Sequence, residues 1–247
     1  RWKAIAIVRG RLPYAEVFKS ENVRRTVYRA EGKERPMSTD VSVFDRQKAA
    51  AFGLVLKLLQ SVFGAEPSVG QANALREDTF QEALALLGLG GNEAIACAMD
   101  QFLTDENDFQ RIGEGYYRLF VSPSLEVSPW ESTYVGNPQL LFQESTLDVR
   151  NFYKSLGYVA DKFQQVADDH IAIELGFLSA LCLRAALADE EEEGRALVAD
   201  AARFADEHLA RWTPIFSKSL QERDKTGYYA NWAKGLEACL LVLKECA

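Results

Sequence analysis

The run Asp169-His170-Ile171-Ala172-Ile173-Glu174-Leu175-Gly176-Phe177-Leu178-Ser179-Ala180-Leu181-Cys182-Leu183-Arg184-Ala185-Ala186-Leu187 decides the fold. Ile171, Ile173, Leu175, Phe177, Leu178, Leu181 and Leu183 make it apolar on nearly every face. A helix of that kind is usually central and buried. The run therefore predicts a bundle built around one core helix. Its opening is unusual, because Asp168, Asp169, His170 and Glu174 put acids and an imidazole on its first turns. Asp168 or Asp169 is placed to cap it.

Outward from that run the periodicity stays helical. Toward the C-terminus, Glu190 to Glu193 open a helix that reaches Leu209, with four acids suited to its N-terminal dipole. A short piece around Ile215–Leu220 and a last helix from Tyr228 to Cys246 follow. Toward the N-terminus, Phe44, Ala51, Leu54, Val55, Leu58, Leu59 and Val62 mark a first helix ended by Gly64. Leu75, Phe80, Ala83, Leu84 and Leu87 mark a second ended by Gly88, and Ile95, Ala98, Met99 and Phe102 a third. Asp105 can cap a fourth that runs to Phe120. Leu140, Leu141, Leu147, Val149, Phe152 and Tyr153 mark another, with Gly157 as its C-terminal stop. No strand series or internal repeat interrupts residues 37–247. The expectation is an all-α, single-domain helical bundle of about eight to ten helices.

Composition narrows the function. Of 247 residues, 48% are hydrophobic, enough for a real core. No charge-free apolar run of about 18 residues occurs, so no membrane span is expected. The net charge of −8 is uneven. Residues 1–36 hold ten Lys or Arg against four Glu, while the remainder holds 18 basic and 32 acidic residues. An acidic body repels nucleic acid and attracts basic peptides, more weakly as salt rises. The basic stretch precedes Met37-Ser38-Thr39-Asp40, which looks like a natural start followed by a helix cap. Residues 1–36 are therefore expected to be an extension outside the main fold, either vector-derived or translated from upstream. The alternative is a basic arm folded back on the acidic body. The pair Arg24-Arg25 is followed by no apolar region, so a twin-arginine export signal is rejected. Cys97, Cys182, Cys239 and Cys246 form no CxxC pair and match no zinc spacing, which points to reduced thiols in a cytoplasmic protein.

One segment breaks the helical pattern. Tyr117-Arg118-Leu119-Phe120-Val121-Ser122-Pro123 is followed by Pro129-Trp130-Glu131-Ser132-Thr133-Tyr134. A connection over 121–138 exceeds the usual ~2–8 residues between helices, and it is apolar where a solvated loop would be polar. Such a segment is often built to touch something. Leu119 and Phe120 continue a helical stripe and equally suit the core. Trp130 follows a proline, and an exposed Pro129-Trp130 pair beside acids has the composition of a peptide groove. Long connections also permit helix exchange, so both a monomer and a domain-swapped dimer remain open.

His170 and Glu174 share a helix face and could ligate zinc with Asp169, but a site needs three or four ligands. The other histidine, His208, lies in a different helix, and nothing in the sequence brings it close. Glu174 sits in an apolar helix, where a lone carboxylate needs a donor. Tyr116, Tyr134, Ser132 or a basic group on a ligand could supply one. No nucleophile elbow, P-loop or Rossmann glycine pattern occurs, and Gly88-Leu89-Gly90-Gly91 looks like a helix stop. The weaker alternative for function is a helical metal-dependent hydrolase using Asp169, His170 and Glu174.

These motifs together resemble a known family. The ordered series Tyr117-x-Leu119-Phe120-x-x-Pro123, Pro129-Trp130-Glu131-Ser132-x-Tyr134, Tyr153-x-x-x-Gly157 and Asp169-His170-Ile171-x-x-Glu174-Leu175-x-Phe177 is similar to that of the TorD/DmsD/NarJ chaperones. The resemblance covers about residues 40–247. It implies a TorD-like helical fold without catalytic activity, and the residues themselves, lacking a full ligand set or a cofactor motif, lead to the expectation of no metal and no cofactor. It also implies a cytoplasmic protein that binds the twin-arginine leader, or a nearby segment, of an apo-molybdoenzyme of the DMSO reductase family. The enzyme would be held until its cofactor is inserted and then released for Tat export. The implied peptide-binding residues are Leu119, Phe120, Pro129, Trp130, Glu131, Ser132, Tyr134, Asp169, His170 and Glu174. On that basis Leu119, Phe120 and Trp130 would take the apolar stretch of the leader, and Asp169 and Glu174 its arginines. Some members have been linked to guanine nucleotide or molybdenum-cofactor binding, and no motif here supports either. The chain departs from the family at Asp168, where many members carry proline. That adds an acid that would alter leader choice.

Overall fold

The computed structural model describes residues 44–103, 106–137, 140–160 and 166–246. They form α1 (Arg46–Gly64), α2 (Val69–Arg76), α3 (Asp78–Leu86), α4 (Glu93–Leu103), α5 (Glu106–Tyr116), α6 (Ser132–Val135), α7 (Glu144–Ser155), α8 (Ile171–Leu187), α9 (Glu191–Phe204), α10 (Ala210–Arg223) and α11 (Tyr228–Glu245). Wider π turns extend α5 through Tyr117–Val121 and join α9 to α10 through Ala205–Leu209. Counted as unbroken stretches these are ten helices, and no strand occurs among the described residues. The fold is all-α, as the periodicity predicts.

The central helix is α8, and α1 is the helix packed most extensively along it. The approach is close because glycines face side chains across the crossing. A Cβ on Gly53 would stand 2.5 Å from Leu183 Cγ, and one on Gly64 would stand 2.6 Å from the Ala172 Cβ. Ser179, buried in α8, satisfies its hydroxyl by donating to the Gly53 carbonyl oxygen at 2.7 Å. Helix α9 covers another side of α8, while α11 packs on α4, α10 and α1. The core runs through all of them and holds Trp212, Trp232, Tyr228, Tyr229, Phe63 and Phe216 at 1% exposure or less.

Several boundaries differ from the sequence expectations, each for a local reason. The second predicted helix is two, since the chain turns out of helical conformation at Glu77 between α2 and α3. A capping box of Ser68 and Gln71 starts α2. The helix after Glu190 does not end at Leu209. It runs on through Ala210–Arg223 with Pro214 inside α10. Pro214 donates no N–H to the Ala210 carbonyl, and it follows closely on the wide turn at Ala205–Leu209, where the regular ladder is already interrupted. Leu140 and Leu141 precede α7 and do not belong to it. The cap of α8 is His170, whose Nδ1 accepts from Ala172 N at 3.1 Å, in place of Asp168 or Asp169. Gly157, at φ 79°, does end α7 in a left-handed turn, and Gly88, at φ 69°, ends α3. The caps expected at Asp40 and Asp105, and the extension 1–36, lie outside the described residues.

Candidate functional site

The segment between the π turn and α7 packs against the start of α8. Residues 129–131 lie antiparallel to 169–171: Ile171 N donates to the Pro129 carbonyl at 2.8 Å, and Glu131 N to the Asp169 carbonyl at 3.0 Å. Side chains strengthen this join. Asp169 Oδ2 accepts from Ser132 N at 2.8 Å, so an acid from the approach to α8 caps the single turn of α6. The Trp130 indole meets the His170 ring edge-on with centroids 5.3 Å apart. Tyr134 donates its hydroxyl to the Ser128 carbonyl at 2.8 Å and stacks on Trp212 of α10 at 5.2 Å. Two motifs nearly forty residues apart in sequence thus form one unit.

Beneath that unit lies a group of buried acids. Glu131, Asp169 and Glu174 are fully buried, and Asp168 nearly so. His208, carried by the second π turn, meets Glu131 through Nδ1 at 3.2 Å. Arg150 of α7 donates to Asp168 Oδ2 at 2.5 Å, and Tyr153 donates to the Asp168 carbonyl at 3.1 Å. Asp168 therefore does not add a free charge, because Arg150 takes it up. Among the described residues Glu174 has no such partner. Burial first, then the neighbouring carboxylates of Glu131 and Asp169, push its carboxyl well above the usual range. The donors considered from sequence, Tyr116, Tyr134 and Ser132, do not reach it. Its neighbours are Glu131, Asp169 and the Trp212 indole, and neither oxygen meets a donor in hydrogen-bonding geometry. The Tyr153 hydroxyl is raised in turn, by burial first and then by this acidic group.

The expected binding residues fall into two sets. Leu119 and Phe120 belong to the core, with the Phe120 ring packed among Tyr116, Tyr229, Phe216 and Phe63. Glu131, Ser132, Asp169 and Glu174 are buried with them. The exposed Pro129-Trp130 pair expected from sequence is corrected: Pro129 is buried and Trp130 half-buried, because both lie against the first turn of α8. Trp130, Tyr134 and His170 retain partial exposure. Asp169, His170 and Glu174 are not gathered as a ligand set. Asp169 and His170 each accept from a backbone N–H, and among the described residues no group of three or more His, Cys, Asp or Glu is placed to hold a metal.

His208 and Trp212 lie outside the set of binding residues expected from sequence, yet both face the acids. A signal was available. Phe204, His208, Trp212 and Phe216 recur every four residues and are all buried. An α-helix drifts out of line at that spacing, and the wide turn at Ala205–Leu209 compensates.

The family described as nitrate reductase delta subunit matches residues 88–218, a stretch that contains every element of this site. Curated relatives carry chaperone names. A chaperone protein TorD of Photobacterium profundum is 30% identical over 138 residues, which span 56% of this chain and 64% of that protein. A TorD of Vibrio parahaemolyticus is 25% identical over 207 residues, 81% of this chain and 94% of that protein. A probable Tat proofreading chaperone DmsD of Haemophilus influenzae is 28% identical over 121 residues, 49% of this chain and 54% of that protein. The chain belongs to the nitrate reductase delta subunit family, the TorD/DmsD/NarJ group of maturation chaperones. These relatives are named as chaperones, not as enzymes.

Proposed function

We propose that this chain is a cytoplasmic chaperone that binds the twin-arginine leader, or a nearby segment, of an apo-molybdoenzyme of the DMSO reductase class. It holds the enzyme until cofactor insertion and then releases it for export. The observation that carries this reading is the union of residues 129–134 with 168–174 over a buried acidic group, inside a chain of this kinship. A leader combines basic residues with a moderately apolar stretch, and an acidic body with a half-exposed aromatic unit complements both. Trp130, Tyr134 and His170 meet the peptide. Leu119, Phe120, Pro129, Glu131, Ser132, Asp169 and Glu174 shape the unit from below. Among the described residues no helix is long and apolar enough to cross a membrane.

The test is calorimetric titration of the full chain with twin-arginine leader peptides from the source genome, each paired with a version whose two arginines are glutamine. Tight binding of one leader, weakened by the replacement and by salt, is the expected result. Trp130→Ala should weaken that binding about tenfold or more, as loss of a buried aromatic anchor does, with the helical signal intact. Failure of every leader to bind would sink the leader reading and leave a nearby segment of the enzyme as the target.

A further inference from the structure

Several surface carboxylates are paired with a cation. Asp108 meets Arg111, Glu126 meets Arg118, Glu193 meets Arg184, and Asp206 meets Lys244. Asp148 on α7 and Glu207 in the second π turn have no ion-pair partner among the described residues. Both line a cleft of about 510 Å³ between α7 and the α9–α10 rod. Asn151, Phe152, His208 and Arg211 complete its lining. The Arg211 guanidinium donates to the Glu207 main-chain carbonyl at 3.4 Å, leaving the Glu207 carboxylate to the cleft. His208 connects the cleft to the candidate site, because its Nδ1 rests on Glu131 behind it.

The turn before α7 and the first turn of α7 carry apolar surface that nothing among the described residues covers. Leu140, Leu141, Phe142 and Leu147 are about half exposed. They are four of the nine large apolar side chains that stand exposed among the described residues, and they fall within eight consecutive positions, a local concentration of apolar surface. The patch is built. Phe142 is held at φ 59°, a conformation bulky residues avoid. Gln143 braces the turn by donating to the carbonyls of Ser132, Asn137 and Leu140 at 2.9, 2.8 and 2.8 Å, while its side-chain oxygen accepts from Asn137 N. Along α7, Glu144, Leu147, Asp148 and Asn151 share one outer face by their i, i+3, i+4, i+7 spacing.

We infer that this outer face, from Leu140 to Asn151 together with Glu207, continues the docking surface for the client peptide beyond Trp130, Tyr134 and His170. This rests on the leader-binding reading and adds a further contact surface and a direction. Basic side chains of the peptide enter the cleft between Asp148 and Glu207. The apolar stretch that follows them lies over Leu147 and then Leu140–Phe142, so the peptide runs antiparallel to α7. Charge complementarity favours this occupant, since the cleft sets Asp148 and Glu207 against one arginine, Arg211, in a body of 32 acidic and 18 basic residues over 37–247.

The experiment uses a leader that binds the wild-type full chain and titrates it into three double variants. Asp148→Lys with Glu207→Lys should weaken binding about tenfold or more and flatten its salt dependence. Phe142→Ser with Leu147→Ser should weaken it by a similar factor and leave the salt dependence unchanged. Glu190→Lys with Glu192→Lys, which reverses two exposed acids elsewhere, should stay within about threefold of wild type. All six side chains are exposed, so the helical signal should not change. Asp148→Asn with Glu207→Gln replaces the reversal pair if it does. If the cleft and patch variants both bind within about threefold of wild type, this surface is no part of the docking site, whatever the wild type binds. If the wild type binds no leader, the leader-binding reading fails and the docking surface falls with it.

Discussion

Glu174 is the residue whose chemistry differs most from its ordinary behaviour. Its folded-state carboxyl is raised by burial, Glu131 and Asp169, so the native protein keeps a proton that the unfolded chain releases above about pH 4.5. Stability at this site is therefore full below that pH and is lost as pH rises toward the folded pKa. The cost is at most about 1.4 kcal/mol per pH unit. Glu174→Gln has no proton to release. Its melting temperature relative to wild type should climb as thermal melts move from pH 5 to pH 8, and a constant difference would refute the assignment. His208 is the donor for Glu131 in a buried setting. His208→Leu leaves that carboxylate without it and should cost about 3 kcal/mol in chemical denaturation. Phe142 is the opposite case, a side chain over half exposed on strained backbone. Phe142→Gly should leave stability unchanged or raise it by about 1 kcal/mol while weakening peptide binding. A residue kept for packing alone would lose stability instead.

At the scale of elements, the crossing of α1 on α8 is set by small residues. Gly53→Ala adds a methyl at 2.5 Å from Leu183 Cγ and 3.2 Å from the Leu183 backbone nitrogen. The gain in helix propensity of up to about 1 kcal/mol is outweighed by overpacking of about 1–3 kcal/mol. A lower denaturation midpoint is expected, with an unchanged slope. An unchanged midpoint would mean that α8 can shift away, and that the core is looser than its burial implies. The two π turns serve the elements differently. The first carries Leu119 and Phe120 into the core, and the second aims His208 at Glu131 and leaves Glu207 at the surface. The short α6 has little stability of its own as one turn. Its cap from Asp169 and the Tyr134–Trp212 stack hold it.

Across the whole molecule, local sequence determined the all-α class and most of the helices, because a 3.6-residue apolar period reports which face is buried wherever the helix lies. The nearly all-apolar stretch 171–187 marked the central helix for the same reason. The ordered aromatic and acidic motifs also marked the family, since they survive as sequence. Tertiary structure alone decided which of those motif residues face solvent. Leu119, Phe120 and Pro129 have the composition of a contact surface, yet burial depends on what other helices bring to them: α11 supplies Tyr229 and α10 supplies Phe216 around Phe120. Only the fold placed His208 on Glu131, 77 residues away, and Arg150 on Asp168. No local period encodes a pairing of charges from separate helices. Leu140 and Leu141 read as helix by their hydrophobicity, whereas a braced turn with a left-handed Phe142 displays them. Apolar character says that a side chain gains by leaving water. Whether the chain or a partner covers it is settled by packing.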